Sequence, residues 1–113
     1  MITLIVLFVG DLQRSREFYS LLGLSFVEEQ HDGGPVHYAA TLPGGCVLEL
    51  YPAGDRPVTR TRLGFAVVDV ASTVEALVAA GFTVRDGVAV DPNGSQVELR
   101  GRPGDEENTD ADD

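Results

Sequence analysis

The chain has 113 residues and a formal net charge of −10, and six of its eighteen acidic residues lie in the last nine positions. The rest carries only about −4 (−10 plus 6), and its eight basic residues are scattered, so it lacks the basic face that a nucleic-acid partner needs. No apolar run approaches the roughly 20 residues that span a bilayer. A single cysteine excludes an intrachain disulfide, and a protein of the reducing cytoplasm is expected.

The first half of the chain predicts a strand, a helix and three further strands. The apolar run 2–9 indicates a buried strand, and Asp11 follows at the position of a helix N-cap. The helix is expected to end near Gly23, because glycine readily adopts the left-handed conformation found there. Apolar runs then predict strands at residues 24–29, 36–42 and 46–51.

The second half repeats this pattern. Residues 67–84 match residues 9–27, with Asp69 and Gly81 in the places of Asp11 and Gly23. Residues 63–68 predict the opening strand and Asp69 the N-cap of the second helix. The closing strands are predicted at 83–85, 88–90 and 96–100.

Two tandem βαβββ modules therefore define an α+β fold. Each sheet has one uncovered face, so the modules are expected to form an eight-stranded cup with one helix outside each sheet. We predict a single domain over residues 1–101, with module 1 at 1–52, a linker at 53–61 and module 2 at 62–101. The acidic segment 102–113 is predicted to be a disordered tail, because it has almost no apolar surface to bury.

Four motifs in this order resemble the vicinal oxygen chelate superfamily, which includes glyoxalase I, extradiol dioxygenases and bleomycin resistance proteins. They are V-G-D at 9–11, F-Y-S-L-L-G at 18–23, L-E-L at 48–50 and D-P-N-G-S-Q-V-E-L at 91–99. None of the motifs is specific alone, but their order, spacing and duplication together are. The resemblance covers nearly all of residues 1–101 and implies the glyoxalase-type fold.

The resemblance also implies where a metal ion would bind. Family members hold a divalent ion with one side chain from the first strand and one from the last strand of each module, which here are Leu4, Glu49, Arg62 and Glu98. Leucine has no donor atom and arginine has no free lone pair. We therefore expect no metal and no cofactor, although Glu49 and Glu98 would be the ligands if a divalent metal bound. Arg62 is expected instead to form a buried ion pair with Glu49 or Glu98.

Which residues of the third strand face the cup depends on the number of residues in the following turn. A two- or four-residue turn would pair Ala40 with Glu49 and place Tyr38 on the Glu49 face, whereas an odd-length turn would place His37 there. Even turns are the commoner solution, so we predict that Tyr38 faces the cup. His31 is expected to be an exposed loop histidine.

Strand alternation selects the candidate ligand-binding residues. If positions 4 and 62 face the cup, alternation brings apolar walls and a few polar groups to the same face, as in ligand sites. A purely structural interpretation, in which these residues form core contacts and an ion pair, remains open. The candidates are Phe8, Tyr38, Glu49, Tyr51, Arg62, Gln96, Glu98 and Arg100.

These residues are compatible with two functions, one of a binding protein and one of an enzyme. The missing ligands favour a metal-free protein that sequesters an antibiotic or another cationic or amphipathic small molecule, and the bleomycin-resistance branch implies a homodimer. The alternative is a metal-dependent lyase, isomerase or dioxygenase resembling glyoxalase I, with Glu49 or Glu98 moving a proton. A third possibility is a regulatory copy without a ligand. No catalytic residue is predicted, and neither a nucleic acid nor a membrane is an expected partner.

Overall fold

The computed structural model describes residues 1–102, which form two four-stranded sheets with one helix each. This confirms the α+β fold of two βαβββ modules. Module 1 comprises β1 (Leu4–Val9), α1 (Leu12–Ser20), β2 (Val27–Glu29), β3 (His37–Thr41) and β4 (Val47–Pro52). Module 2 comprises β5 (Arg62–Val67), α2 (Val70–Ala79), β6 (Thr83–Arg85), β7 (Val88–Val90) and β8 (Gln96–Gly101).

Both sheets have the same strand order. The first runs β1-β4-β3-β2 and the second β5-β8-β7-β6. In each sheet the opening strand pairs in parallel with the closing strand, and the other pairs are antiparallel. The strand that opens each module therefore lies beside the strand that closes it, so positions 4 and 49, and 62 and 98, share one region of each sheet.

Aspartates cap both helices, as the repeat predicts. An Asp11 carboxylate oxygen accepts from the Arg14 amide at 2.9 Å, and Asp69 accepts from the Ser72 amide at 3.1 Å. Each bond satisfies one of the amide groups that have no partner within a helix. Gly23 and Gly81 follow the two helices with φ of 106° and 92°, a conformation that favours glycine.

The strand ends differ from the prediction by up to three residues. Strand β1 begins at Leu4 rather than at residue 2, because its partner β4 begins at Val47, opposite Leu4. Strand β2 begins at Val27 rather than at residue 24. Leu24 and Phe26 instead pack against the hydrophobic core from the connection that follows α1.

The core lies between the sheets and the helices, and α1 also joins the two modules. Leu48, Leu50 and Phe18 are fully buried on the helix side of the first sheet. Phe18 also meets Phe82 of module 2 edge to face, with ring centroids 5.1 Å apart. Edge-to-face pairs contribute about 0.5–1.5 kcal/mol beyond area burial, so this contact fixes one module against the other.

A buried hydrogen bond strengthens the same junction. The Tyr19 hydroxyl donates to Asp91 Oδ2 at 2.6 Å, and Asp91 Oδ1 accepts from the Ser95 and Asn93 amides at 2.9 Å. Burial and the neighbouring carboxylate raise the pKa of Tyr19, so its hydroxyl remains a donor.

The segment between the modules is also held by a hydrogen bond, in which the Thr59 amide donates to the Phe8 carbonyl at 2.8 Å.

Two further predictions concern the acidic tail and a membrane-spanning segment. The acidic tail at 102–113 lies, apart from Arg102, outside the described residues. Neither helix in residues 1–102 is long and apolar enough to cross a membrane.

Candidate ligand-binding site

The face of each sheet opposite the helices forms an open cup. Alternation places Leu4, Val6 and Phe8 on this cup face of β1, since Leu7 and Val9 are buried on the helix side. On the second sheet the corresponding faces of β5 and β8 carry Arg62, Gly64, Ala66, Gln96, Glu98 and Arg100. Most of this surface is solvent-accessible: Leu4, for example, retains 52% of its accessible area.

A row of rings crosses the cup face of the first sheet. His37 stacks on Tyr51 with ring centroids 4.0 Å apart and planes 10° from parallel. Tyr51 in turn lies 6.2 Å from Phe8, and the Arg56 guanidinium is 4.5 Å from the centroid of the Phe8 ring. The row results from register, because His37, Tyr51 and Phe8 occupy facing positions on β3, β4 and β1. Phe8 and Tyr51 are partly exposed and can contact a ligand, whereas His37 is buried behind Tyr51.

Glu49 lies beside this row in a largely apolar setting. Its cross-strand neighbours are Val6 and Ala39, and it is half-buried. Within residues 1–102 its carboxylate has no hydrogen bond or ion pair. Loss of solvent, followed by the Glu49 and Glu29 carboxylates, raises the pKa of Tyr51, so that hydroxyl remains neutral. The first sheet thus combines aromatic rings with an unpaired negative charge.

The second sheet carries a different arrangement, in which one carboxylate is held by two arginines. Arg62 Nε donates to Glu98 Oε2 at 2.6 Å and its Nη1 to Gln96 Oε1 at 2.8 Å. Arg100 Nη2 donates to the other Glu98 oxygen at 2.7 Å. The bonds from Arg100 and then Arg62 hold the pKa of Glu98 below its usual range. A cavity of about 450 Å³ on this face includes Arg62, Gln96 and Arg85 in its lining.

Of the two expected partners of Arg62, Glu49 and Glu98, the structure pairs it with Glu98, but the expected burial of the pair is wrong. The Arg62 side chain is 60% exposed and that of Glu98 24% exposed. Strand β5 lies at the edge of its four-stranded sheet, and its cup face carries Gly64 and Ala66, which are too small to cover the guanidinium. Solvent therefore screens the pair, and such pairs contribute little to stability.

The residues at the four family positions do not fit a metal ion. Leu4 offers no donor atom, and both oxygens of Glu98 already accept from guanidinium groups. A cation there would have to displace two short charge-assisted hydrogen bonds and lie beside two positive charges. Glu49 alone remains available, which is far below the coordination that a catalytic metal needs.

Tyr38 lies on the opposite face from the one predicted. The connection between β3 and β4 has five residues, 42–46, so that Thr41 pairs with Val47 and Ala39 with Glu49. This odd length turns Tyr38 towards the helix, where Gln13 Nε2 donates to its hydroxyl at 2.9 Å and only 4% of its surface is exposed. His37 takes its place on the cup face. The Gly44-Gly45 pair, both with positive φ, is also typical of a two-residue turn, so it does not indicate the longer connection.

The remaining candidates lie in two groups. Phe8, Glu49 and Tyr51 meet on the first sheet, and Arg62, Gln96, Glu98 and Arg100 meet on the second. A separate groove of about 720 Å³ between the modules is lined mainly by apolar residues, including Leu22, Leu42 and Phe65, and contains none of the candidates.

The fold and this two-part cup define a class of proteins built from paired βαβββ modules. A family model described as the Glyoxalase/Bleomycin resistance protein/Dioxygenase superfamily matches residues 2–108, and the chain belongs to this family. A search of curated proteins found no match.

Solved structures share the fold at low sequence identity. Oxidase ChaP-H2 is 18% identical with a TM-score of 0.70, covering 91% of this chain and 94% of its own. TnmS3, an antibiotic binding protein from Streptomyces sp. CB03234, is 18% identical with a TM-score of 0.69, covering 91% and 96%. Glyoxalase I from Leishmania major is 24% identical with a TM-score of 0.67, covering 99% and 94%. The fold therefore occurs in proteins named as enzymes and in one named as a binding protein.

Proposed function

We propose that the protein binds a small cationic or amphipathic molecule in its cup, without a metal at the four family positions. The observation that carries this proposal is the unpaired Glu49 carboxylate beside the stacked rings of Tyr51 and His37. An aromatic surface favours a flat apolar body, and a partly desolvated carboxylate favours a cationic group. The antibiotic-binding neighbour TnmS3 supports a binding role for this fold.

The second sheet would contribute in a different way. Arg62 and Gln96 flank the Glu98 carboxylate, both of whose oxygens already accept hydrogen bonds from guanidinium groups. This sheet would therefore bind the oxygen atoms of a ligand rather than its cationic group. Metal-dependent lyase, isomerase or dioxygenase chemistry is the weaker candidate, because it would need a donor set that Leu4 and Arg62 do not supply.

Binding of a planar cation tests the proposal. We expect mitoxantrone, or the metal-free cationic antibiotic bleomycin, to raise the melting temperature of chelator-treated protein. Glu49→Gln should weaken that binding about tenfold or more, because hydrogen bonds to charged groups contribute about 1.5–3 kcal/mol. Titration calorimetry measures the change in affinity.

Glu75→Gln is the matched control, since Glu75 is an exposed carboxylate on α2. It should leave the affinity unchanged. Equal loss of affinity in the two variants, or no stabilisation by either compound, would reject the proposed ligand class.

We also infer that the functional unit is a homodimer. Leu4 and Val27 are 52% and 62% exposed on the cup side of their sheet, and Val68, which directly follows β5, is 69% exposed. Apolar surface exposed in this way commonly marks an interface. A second copy would cover it and complete the walls of an otherwise open cup.

A further inference from the structure

The β2–β3 hairpin brings together three side chains, of which only His37, stacked behind Tyr51, supports a proposed ligand contact. Glu29 ends β2 and pairs directly with His37, which begins β3, so both side chains lie on the cup face. His31 lies in the connecting loop, and its ring centroid is 5.2 Å from that of His37. The family positions are at other residues, so the resemblance gives this cluster no role.

The three potential ligand atoms are spaced as a metal ion requires. His37 Nε2 lies 3.2 Å and His31 Nε2 lies 3.6 Å from the same oxygen, Glu29 Oε1. One ligand atom from each residue lies within 4.8 Å of the others. Two ligands of a tetrahedral Zn²⁺ ion, each at its usual bond length, are about 3.3 Å apart. A movement of the exposed His31 of at most about 1.5 Å would therefore complete one triangular face of such a site.

The hydrogen bond on the far side of His37 sets the orientation of its ring. His37 Nδ1 lies 3.2 Å from the Pro35 carbonyl oxygen. A carbonyl only accepts, so Nδ1 must carry the proton for that bond to form. In the neutral ring, Nε2 then directs its lone pair at the Glu29 carboxylate. Two acceptors at 3.2 Å repel each other unless a cation lies between them.

Either a proton on His37 Nε2 or a metal ion can make the contact with Glu29. A proton would satisfy His37 and Glu29, whereas His31 lies 3.6 Å from the same oxygen without a hydrogen bond to it. A metal ion accounts for all three contacts. It also accounts for the carbonyl behind His37, since metal-binding histidines commonly donate their second nitrogen to such an acceptor.

The surrounding structure holds the ligands in place before any ion arrives. His37 is 1% exposed, and its ring lies flat against Tyr51. The loop folds back through a tight turn in which the Gly34 amide donates to the His31 carbonyl at 2.7 Å. Asp32 and Gly33, between them, both have positive φ. A non-glycine residue in that conformation is uncommon, and it directs His31 back over the hairpin.

We propose that Glu29, His31 and His37 bind one Zn²⁺ ion at the edge of the cup. Two imidazole nitrogens and one carboxylate oxygen form a ligand set that zinc accepts, and it leaves a fourth position open. The His31 side chain is 68% exposed, so the open position is accessible to solvent. The ion would hold the loop of residues 30–36 against the sheet and lie next to Tyr51, one of the proposed ligand contacts.

Zn²⁺ alone, added to the chelator-treated full chain, tests this proposal. We expect one equivalent to remain after dialysis, by elemental analysis, and to raise the melting temperature. His31→Ala should lower the zinc affinity at least about tenfold. Because His31 is exposed in a loop, this variant should fold even if His37→Ala does not. Co²⁺ in place of zinc should give the visible absorption of a four-coordinate site.

Two controls separate this site from other acidic groups. Glu28→Gln removes an exposed neighbouring carboxylate, and Glu49→Gln removes one at a family position; both should retain zinc. Retention of zinc by His31→Ala, or its loss in Glu49→Gln, would overturn the proposal. A chain that retains no zinc after dialysis would also overturn it. No organic ligand is used, so the result is independent of the proposed cup ligand.

Discussion

At Glu98, two neighbouring arginines hold a potential metal ligand in a salt bridge. Arg100 and Arg62 each donate to one of its oxygens, and together they hold its pKa below the usual range. A carboxyl group whose pKa is lower in the folded state stabilises the fold above its unfolded pKa. That contribution is lost as the pH falls through the folded value.

We therefore expect a pH-dependent difference between the wild type and Glu98→Gln. The wild type should melt at a slightly higher temperature near neutral pH, because solvent screens the pair, and the difference should shrink below about pH 4.3, the ordinary pKa of glutamate. Thermal melts across this range measure it. Glu75→Gln, on the exposed face of α2, should show no such trend. A difference that is constant or grows in acid would contradict the assigned cause.

The sequence predicts the candidate site correctly only where strand alternation alone determines the face of the sheet on which a side chain lies. Alternation along β1, β4 and β8 gave the faces of Phe8, Glu49 and Glu98, because side-chain direction in a strand has a period of two. The face of His37 depends on whether the next turn has an odd or even number of residues. Sequence composition does not fix that number, so both the ring row and the Glu29, His31 and His37 cluster were missed.

At the scale of secondary-structure elements, the repeat was sufficient to predict most of the fold. The N-cap aspartates and the glycines after each helix have local causes that a sequence shows directly. Strand ends were less predictable, because a strand ends where its partner ends. Leu4 opposite Val47 is an example.

The two glycines that follow the helices offer a matched test of local strain. Gly23→Ala and Gly81→Ala both force a side chain into the left-handed region, which costs about 1–2 kcal/mol. A Cβ at Gly23 meets nothing within 4 Å, whereas one at Gly81 lies 3.1 Å from Arg14 Nη2. That nitrogen also donates to the Ala80 carbonyl at 2.7 Å.

Gly81→Ala should therefore be the more destabilising substitution, by about 0.5–1.5 kcal/mol, the value of one hydrogen bond. Urea denaturation of the two variants measures the free energies of unfolding. Equal losses would mean that Arg14 moves aside at no cost.

At the scale of the whole molecule, the exposed apolar residues of the cup lead us to expect self-association. Sedimentation equilibrium should give about twice the chain mass of 12.0 kDa. Val68→Glu should shift the equilibrium towards the monomer, since it would place a charge on an exposed apolar position of the inferred interface. Ser72→Glu, on the exposed face of α2, is the control and should remain dimeric. A wild-type protein that stays monomeric at all concentrations would contradict the dimer.

The hydrogen bond between Tyr19 and Asp91 makes the two copies of the repeat structurally non-equivalent. Tyr19 corresponds to Leu77 in the second copy, since each lies eight residues after its capping aspartate, and leucine has no hydroxyl to donate. The first copy therefore supplies the donor and the second supplies the buried acceptor, so the bond forms once rather than twice. The two copies are complementary partners rather than interchangeable halves, and doubling either one would leave the junction without its hydrogen bond.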